Sequence, residues 1–172
     1  MKRTALLILA ILAVTGCESN SYKTYSRKYH VSFSCDINVS PYNLLTTPGQ
    51  FLSVRLSMAD GKLHMVDCNG IKYDQSLSEI QSRQFDLGLA GLILGRPAFD
   101  IDSNSIWAFD LGCPDCDEMN VRLSIDNQGT ASCNKCNGKW NLNSGGFPIS
   151  GSTRPLYRYP TMMSSGMLTV SN

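Results

Sequence analysis

Apolar and polar positions alternate two by two through much of the chain. Val31, Phe33 and Cys35 share one side of an extended segment, and Leu52, Val54, Leu56 and Met58 alternate with Ser53, Arg55 and Ser57. A period of two puts successive side chains on opposite faces of a strand, so these segments are expected to be half-buried strands. Ala59-Asp60-Gly61 and Cys68-Asn69-Gly70 bracket Leu63 to Val66. Asp-Gly and Asn-Gly supply the positive φ angles of tight hairpins, which predicts a β-meander here. Leu87 to Leu94 is apolar but broken by Gly88 and Gly91, a pattern expected of a buried strand with bulges or close backbone approaches. Ile106, Ala108 and Asp110 alternate with Trp107, Phe109 and Leu111 in a further buried strand that leads to Cys113. Ser76-Leu77-Ser78-Glu79 has capping-box spacing, yet no long amphipathic pattern follows, so one helical turn at most is expected. The fold class is all-β.

The two ends read differently. Lys2 and Arg3 precede an apolar run, Ala5 to Val14, too short to cross a bilayer and suited to the core of an export signal over residues 1–16. Val14-Thr15-Gly16-Cys17 resembles a bacterial lipobox, which implies cleavage before Cys17 and lipidation of its sulfur. Acyl chains at about 0.8 kcal/mol per buried methylene then make the membrane a partner, without a spanning helix. The implied location is the bacterial cell envelope. Residues 17–28 are expected to be the lipidated cysteine and a flexible tether, with the folded domain over 29–160. Residues 161–172, with Met162, Met163 and Met167, read as a polar tail that is disordered, edge-paired or a soft contact surface.

Charge and composition remove whole classes of function. With Lys2 and Arg3 set aside, 13 Lys and Arg face 14 Asp and Glu, so no basic face for nucleic acid is expected. A hydrophobic content of 42% against 17% charged residues suffices for a packed core. No G-x-S-x-G elbow is present, and Gly88-x-x-Gly91-x-x-x-Gly95 lacks the Lys-Ser/Thr of a phosphate loop. Asp100, Asp102 and Asp110 surround a turn, and Asp102-Ser103-Asn104 is ordinary turn chemistry, so no catalytic constellation emerges.

Cysteine carries the chemical signal. Cys113-Pro114-Asp115-Cys116 and Cys133-Asn134-Lys135-Cys136 are two C-x-x-C knuckles at the spacing of a tetrahedral thiolate site. Each tight turn can bring two sulfurs to one ion. Gly129 is placed for a hairpin between the knuckles, and Gly138 closes the second where a turn needs room. Cys35 and Cys68 belong to neither knuckle and are expected to form a structural disulfide, worth roughly 3–4 kcal/mol on the loop-entropy model. Two buried free thiols are the other reading.

The last third of the chain resembles the Rieske domain. The resemblance rests on Trp107-Ala108-Phe109-Asp110-Leu111-Gly112-Cys113-Pro114, on Cys133-x-x-Cys136-x-Gly138-x-Trp140-Asn141-Leu142, and on Gly145-Gly146, Pro148, Gly151, Pro155-Leu156 and Tyr159. It implies a Rieske-like β-sandwich or barrel base bearing a small two-knuckle subdomain of zinc-ribbon or rubredoxin type. Residues 113–116 and 133–138 would form the metal loops and 148–156 the loop that covers them. Trp140, Tyr157 and Tyr159 are expected to pack around these loops. Cys113 and Cys133 match the family's two cysteines, while Asp115 and Cys136 stand where it has histidines. His30 and His64 lie far upstream in predicted strands. Cys116, one place beyond Asp115, can replace the missing ligand.

Four cysteines on such a scaffold leave three outcomes open. The first is an all-cysteine [2Fe–2S] centre, whose potential would shift from the Rieske range of about −150 to +300 mV toward about −400 mV. Lys2-Arg3 is not a twin-Arg signal, so export of an unfolded chain argues against a preassembled cluster. The second is a structural Zn²⁺ site with a closed coordination sphere. The third is replacement of the metal by disulfides in an oxidising envelope. Two functions follow: an anchored lipoprotein whose centre is mainly structural in an interaction role, or an electron carrier serving a redox or envelope protein partner.

Overall fold

The computed structural model of the chain describes residues 25–99 and 105–172. The export signal, Cys17, most of the tether, Asp100 and Asp102 lie outside the described residues. β1 (Val31–Asp36) is followed by a 3-10 turn, Tyr42–Thr46. The meander comes next as β2 (Phe51–Ser57), β3 (Lys62–Asp67) and β4 (Lys72–Ser76). Gly61 and Gly70 take φ of +63° and +83° at its turns, as Asp-Gly and Asn-Gly predicted. A short α1 (Glu79–Gln84) is capped by Ser78, with Gln81 answering at N3. The capping box thus sits two residues later than the Ser76 spacing suggested.

β5 (Asp86–Leu87) and β6 (Leu92–Gly95) replace the single strand expected over Leu87 to Leu94. Gly88, at φ +74°, turns the chain between them beneath Asp110: a Cβ there would lie 2.4 Å from Asp110 Oδ2. β7 (Trp107–Asp110) then runs to the first knuckle. β8 (Ser124–Ile125), β9 (Thr130–Ser132), β10 (Lys139–Asn141) and β11 (Phe147–Ser150) form a four-stranded antiparallel sheet in the order β11-β10-β9-β8. The second knuckle is the β9–β10 connection. β12 (Arg158–Tyr159) returns to β7, and β13 (Thr161–Ser164) and β14 (Met167–Ser171) close the chain as a hairpin.

Among the described residues the architecture is all-β, with three sheets packed through two cores. A six-stranded sheet, β12-β7-β6-β2-β3-β4, shares its first core with the four-stranded sheet β13-β14-β1-β5. Leu52, Val54, Leu63, Leu92 and Leu94 meet Val31, Phe33, Leu168 and Val170 there. The opposite face of the large sheet, with Phe51, Ile93 and Phe109, packs on Ala131, Cys133, Trp140 and Leu142 of the knuckle-bearing sheet. β6 therefore has core on both sides, which is why its sequence reads as a continuous apolar run instead of an alternation.

Two expected boundaries move. Residues 161–172 are no tail: β14 is an interior strand, paired with β13 and with β1, where Phe33 faces Val170 and Cys35 faces Leu168. Ordered structure also begins before Tyr29, since Ser26 N donates to Arg158 O at 2.7 Å and Asn172 Nδ2 donates to Ser26 O at 3.1 Å. Among the described residues no helix is long and apolar enough to cross a membrane.

Candidate metal centre

The two knuckles are built alike, from backbone upward. In the first, the Asp117 amide donates to Cys113 O at 2.9 Å and Asp117 takes φ +55°; in the second, the Asn137 amide donates to Cys133 O at 2.9 Å and Asn137 takes φ +60°. Asp and Asn tolerate this left-handed region better than other non-glycine residues. The tight turn at each site points two further amides inward. Those of Asp115 and Cys116 donate to Cys113 Sγ, and those of Lys135 and Cys136 donate to Cys133 Sγ. Gly138 closes the second knuckle as its sequence position suggested, its carbonyl accepting from the Cys133 amide at 2.9 Å, and it leaves room for Trp140: a Cβ at Gly138 would lie 2.5 Å from Trp140 Cη2.

The knuckles face each other and bring their sulfurs together. Cys113, Cys116, Cys133 and Cys136 present four Sγ atoms that all lie within 4.8 Å of one another. Cys113 Sγ is 3.5 Å from Cys136 Sγ, and Cys116 Sγ is 3.8 Å from Cys133 Sγ. A single ion with metal–sulfur bonds of about 2.3 Å has a tetrahedral edge of about 3.8 Å, so the constellation fits one ion. Cys113 and Cys133 are buried, while Cys116 and Cys136 are half-buried at the rim.

Electrostatics set the thiols apart. Burial pushes the Cys113 thiol well above the ordinary thiol range and the Cys116 thiol up to about 11. Burial also opposes ionisation of Cys133, yet the amides of Cys136 and Lys135 together with the neighbouring Cys113 and Cys136 thiols outweigh it and lower that thiol. The amides thus favour thiolate at one buried corner, and an entering cation would displace the remaining protons. Across the rim, Lys135 Nζ pairs with Glu118 Oε1 at 2.5 Å. That pair is exposed and worth little by itself.

Neighbouring segments lock the centre to the base. Asp110 is fully buried and its carboxylate accepts from Leu89 N at 2.7 Å, Ala90 N at 3.3 Å, Gly112 N at 2.6 Å and Tyr159 OH at 2.6 Å. This ties the glycine turn of the base to the residue before Cys113. On the other side, Trp140 Nε1 donates to Arg154 O at 2.7 Å, and Arg154 Nη1 donates to Pro114 O at 3.3 Å. The 148–156 loop therefore lies against both knuckles. Gly151 is within a side chain's width of Asn137, since a Cβ there would be 2.8 Å from Asn137 O. A fourth contact comes from the N-terminal segment: Lys28 and Tyr29 both engage the Asp117 carboxylate. Lys28 foremost, with Tyr29, holds the Asp117 carboxyl down at about 2.

Other sequence candidates lie elsewhere. His64 places Nδ1 2.7 Å from Asp74 Oδ1 and Nε2 2.9 Å from Asp60 Oδ2, and His30 Nδ1 is 3.2 Å from Asp86 Oδ2. Neither belongs to the four-sulfur group. A two-cysteine, two-histidine cluster therefore does not fit this centre. The expected Cys35–Cys68 disulfide is not formed: both are buried free thiols. Cys35 sits on β1 in the first core, where burial raises its thiol to about 12, whereas Cys68 donates to Gln50 Oε1 at 3.2 Å. No protein-family model and no curated protein matches the chain.

Sequence reasoning missed Lys28, Asp117, Asn137 and Arg154. The only local signal was the polar residue after each second cysteine, Asp117 and Asn137, in a position that calls for positive φ. Lys28 and Arg154 could not be found that way, because their partners are 89 and 40 residues distant.

Proposed function

We propose that the chain is a membrane-anchored envelope lipoprotein whose Rieske-like domain holds one Zn²⁺ at Cys113, Cys116, Cys133 and Cys136, in a mainly structural role that supports interaction with an envelope partner. One observation carries the reading: all four sulfurs lie within 4.8 Å of one another, a spread that suits a single tetrahedral ion. A [2Fe–2S] core interposes two irons between opposite cysteine pairs and requires those pairs to stand farther apart than one tetrahedral edge. The third-sheet layout supports the Rieske-like likeness, since two knuckles and a covering loop sit on a separate core beside the sandwich. The lipobox-like Val14-Thr15-Gly16-Cys17 supports the anchor.

Four protein thiolates would close the coordination sphere and leave no open position for substrate. The ion would then pin two loops that share only short strands. The alternative, an electron carrier with [2Fe–2S], draws on the half-buried Cys116 and Cys136, which bring the rim of the centre near solvent. Metal analysis of the mature protein from its native membrane separates the readings. About one zinc per chain is expected. Two irons with inorganic sulfide would replace the structural reading with electron transfer. Neither metal, with no titratable knuckle thiols, would mean that disulfides occupy the site.

A further inference from the structure

Asp117 is where the candidate metal centre and the N-terminal segment meet. Its backbone belongs to the first knuckle, next to Cys116, at φ +55° with its amide on Cys113 O. A non-glycine residue in this region is strained and persists only where its surroundings over-determine it. The carboxylate is claimed from outside the knuckle. Lys28 Nζ is ion-paired to Oδ2, Tyr29 OH donates to Oδ1 at 2.7 Å, and Tyr157 OH donates to Oδ1 at 3.1 Å. Lys28 Nζ also lies 3.1 Å from Tyr157 OH and 5.2 and 5.3 Å from the ring centroids of Tyr29 and Tyr157. The two tyrosine rings meet edge to face at 5.6 Å. The Asp117 carboxylate thus holds the side chains at one end of the segment 26–29, while Asn172 Nδ2 donates to Tyr29 O at 2.8 Å and, with Arg158, holds the other end at Ser26.

We propose that docking of this 26–29 strap is coupled to ion binding at the four cysteines, so that occupancy of the centre regulates the N-terminal segment. The coupling rests on the single-ion reading above. An ion that closes the first knuckle holds Asp117 in the conformation that receives Lys28 and Tyr29. Without the ion, the turn loses the cross-link that fixes it, and the carboxylate is no longer presented. Linkage is reciprocal: whatever factor the ion adds to strap docking, docking adds to ion affinity. Release of the whole strap, its Arg158 and Asn172 contacts included, would free four residues, a contour of about 14 Å, in the lead to β1. In a chain anchored at Cys17, that changes how far the centre stands from the bilayer.

Limited trypsin digestion of the full chain tests this, because Arg27 and Lys28 are both cleavage positions and Lys28 must leave Asp117 to enter the protease. Rates at Arg27 and Lys28 are compared for the Zn²⁺-loaded chain and the same chain stripped by chelation, with cleavage at Lys72 on distant β4 as the internal reference. Stripping is expected to accelerate cleavage of the strap at least fivefold without changing Lys72, and added Zn²⁺ is expected to restore protection. The second arm is Asp117→Ala, expected to keep one zinc yet to be cut at least fivefold faster even when loaded. Should stripping unfold the whole chain, Lys72 accelerates too and the loaded Asp117→Ala arm decides. Equal strap cleavage in loaded and stripped protein, or an Asp117→Ala strap as protected as the parent's, overturns the coupling while leaving the metal reading intact. A chain that takes up no zinc overturns the metal reading, and the coupling with it.

Discussion

Tyr159 donates its hydroxyl hydrogen to Asp110 Oδ2 across 2.6 Å, and both side chains are sealed from solvent. The pair sits at the joint between the sandwich and the knuckle-bearing sheet. Three backbone amides complete the shell around Asp110. Tyr159→Phe removes one donor to a buried carboxylate and is expected to lower stability by about 1.5–3 kcal/mol, read by urea unfolding. Burial raises the Asp110 carboxyl above its ordinary value, with Tyr159 foremost among the hydrogen bonds that pull it back. A raised folded value means that this group's contribution is full below the unfolded value of about 3.9 and falls as pH rises through the folded one. Loss of the hydroxyl then costs more at neutral pH, where the anion must be held, than in acid. A pH-independent cost would remove the ionised carboxylate from the account.

Removal of the ion should loosen the centre. Zinc at a hundredfold excess over its dissociation constant adds about 2.7 kcal/mol to folding, provided that it binds only the folded chain. Chelation is therefore expected to lower the melting temperature and to weaken the near-ultraviolet dichroism of Trp140, which packs among the knuckle residues. Unchanged melting after verified removal of the ion would deny it a structural role.

Gly138→Ala tests the packing of the second knuckle. Its new Cβ would lie 2.5 Å from Trp140 Cη2, so the indole must shift. Overpacking of a tight core costs about 1–3 kcal/mol, and tryptophan fluorescence should report the displaced ring. A variant as stable as the parent with the same spectrum would show that the indole has room to yield.

Deletion of residues 161–172 should abolish the fold and not merely trim a tail. Leu168 and Val170 are fully buried, and burial of such side chains is worth about 1.5–3 kcal/mol each. The deletion also strips β1 of its partner from Ser32 to Asp36. Loss of a cooperative unfolding transition is the expected result; a truncated chain that still melts cooperatively would contradict it.

Cys35 and Cys68, both buried and free, predict that reductant leaves the melting temperature of the metal-loaded protein unchanged. Cys35→Ala removes one sulfur from the first core and should cost a small amount with or without reductant. A parent protein whose melting temperature falls on reduction, with the ion still bound, would restore the bridge.

The sequence alone determined what depends on short range. A period of two made β1 to β4 legible, Asp-Gly and Asn-Gly marked the turns of the meander, and two C-x-x-C spacings named all four sulfurs. Each of these signals lies within a few residues, where backbone geometry decides the outcome. The tertiary structure decided the rest. β14 looks like a polar tail because only Leu168 and Val170 face the core, and its partner β1 lies more than a hundred residues away. Cys35 and Cys68 looked paired because neither had another role, yet both are free: Cys35 stands opposite Leu168 on β14, and Cys68 donates to Gln50. Asp110 read as one more position of a buried strand, with no role of its own, until Tyr159 and the Gly88 turn closed around it. Lys28 read as tether until Asp117, brought near by the knuckle, gave its charge a partner. In each case the deciding contact is made by residues far apart in sequence, and no local pattern encodes it.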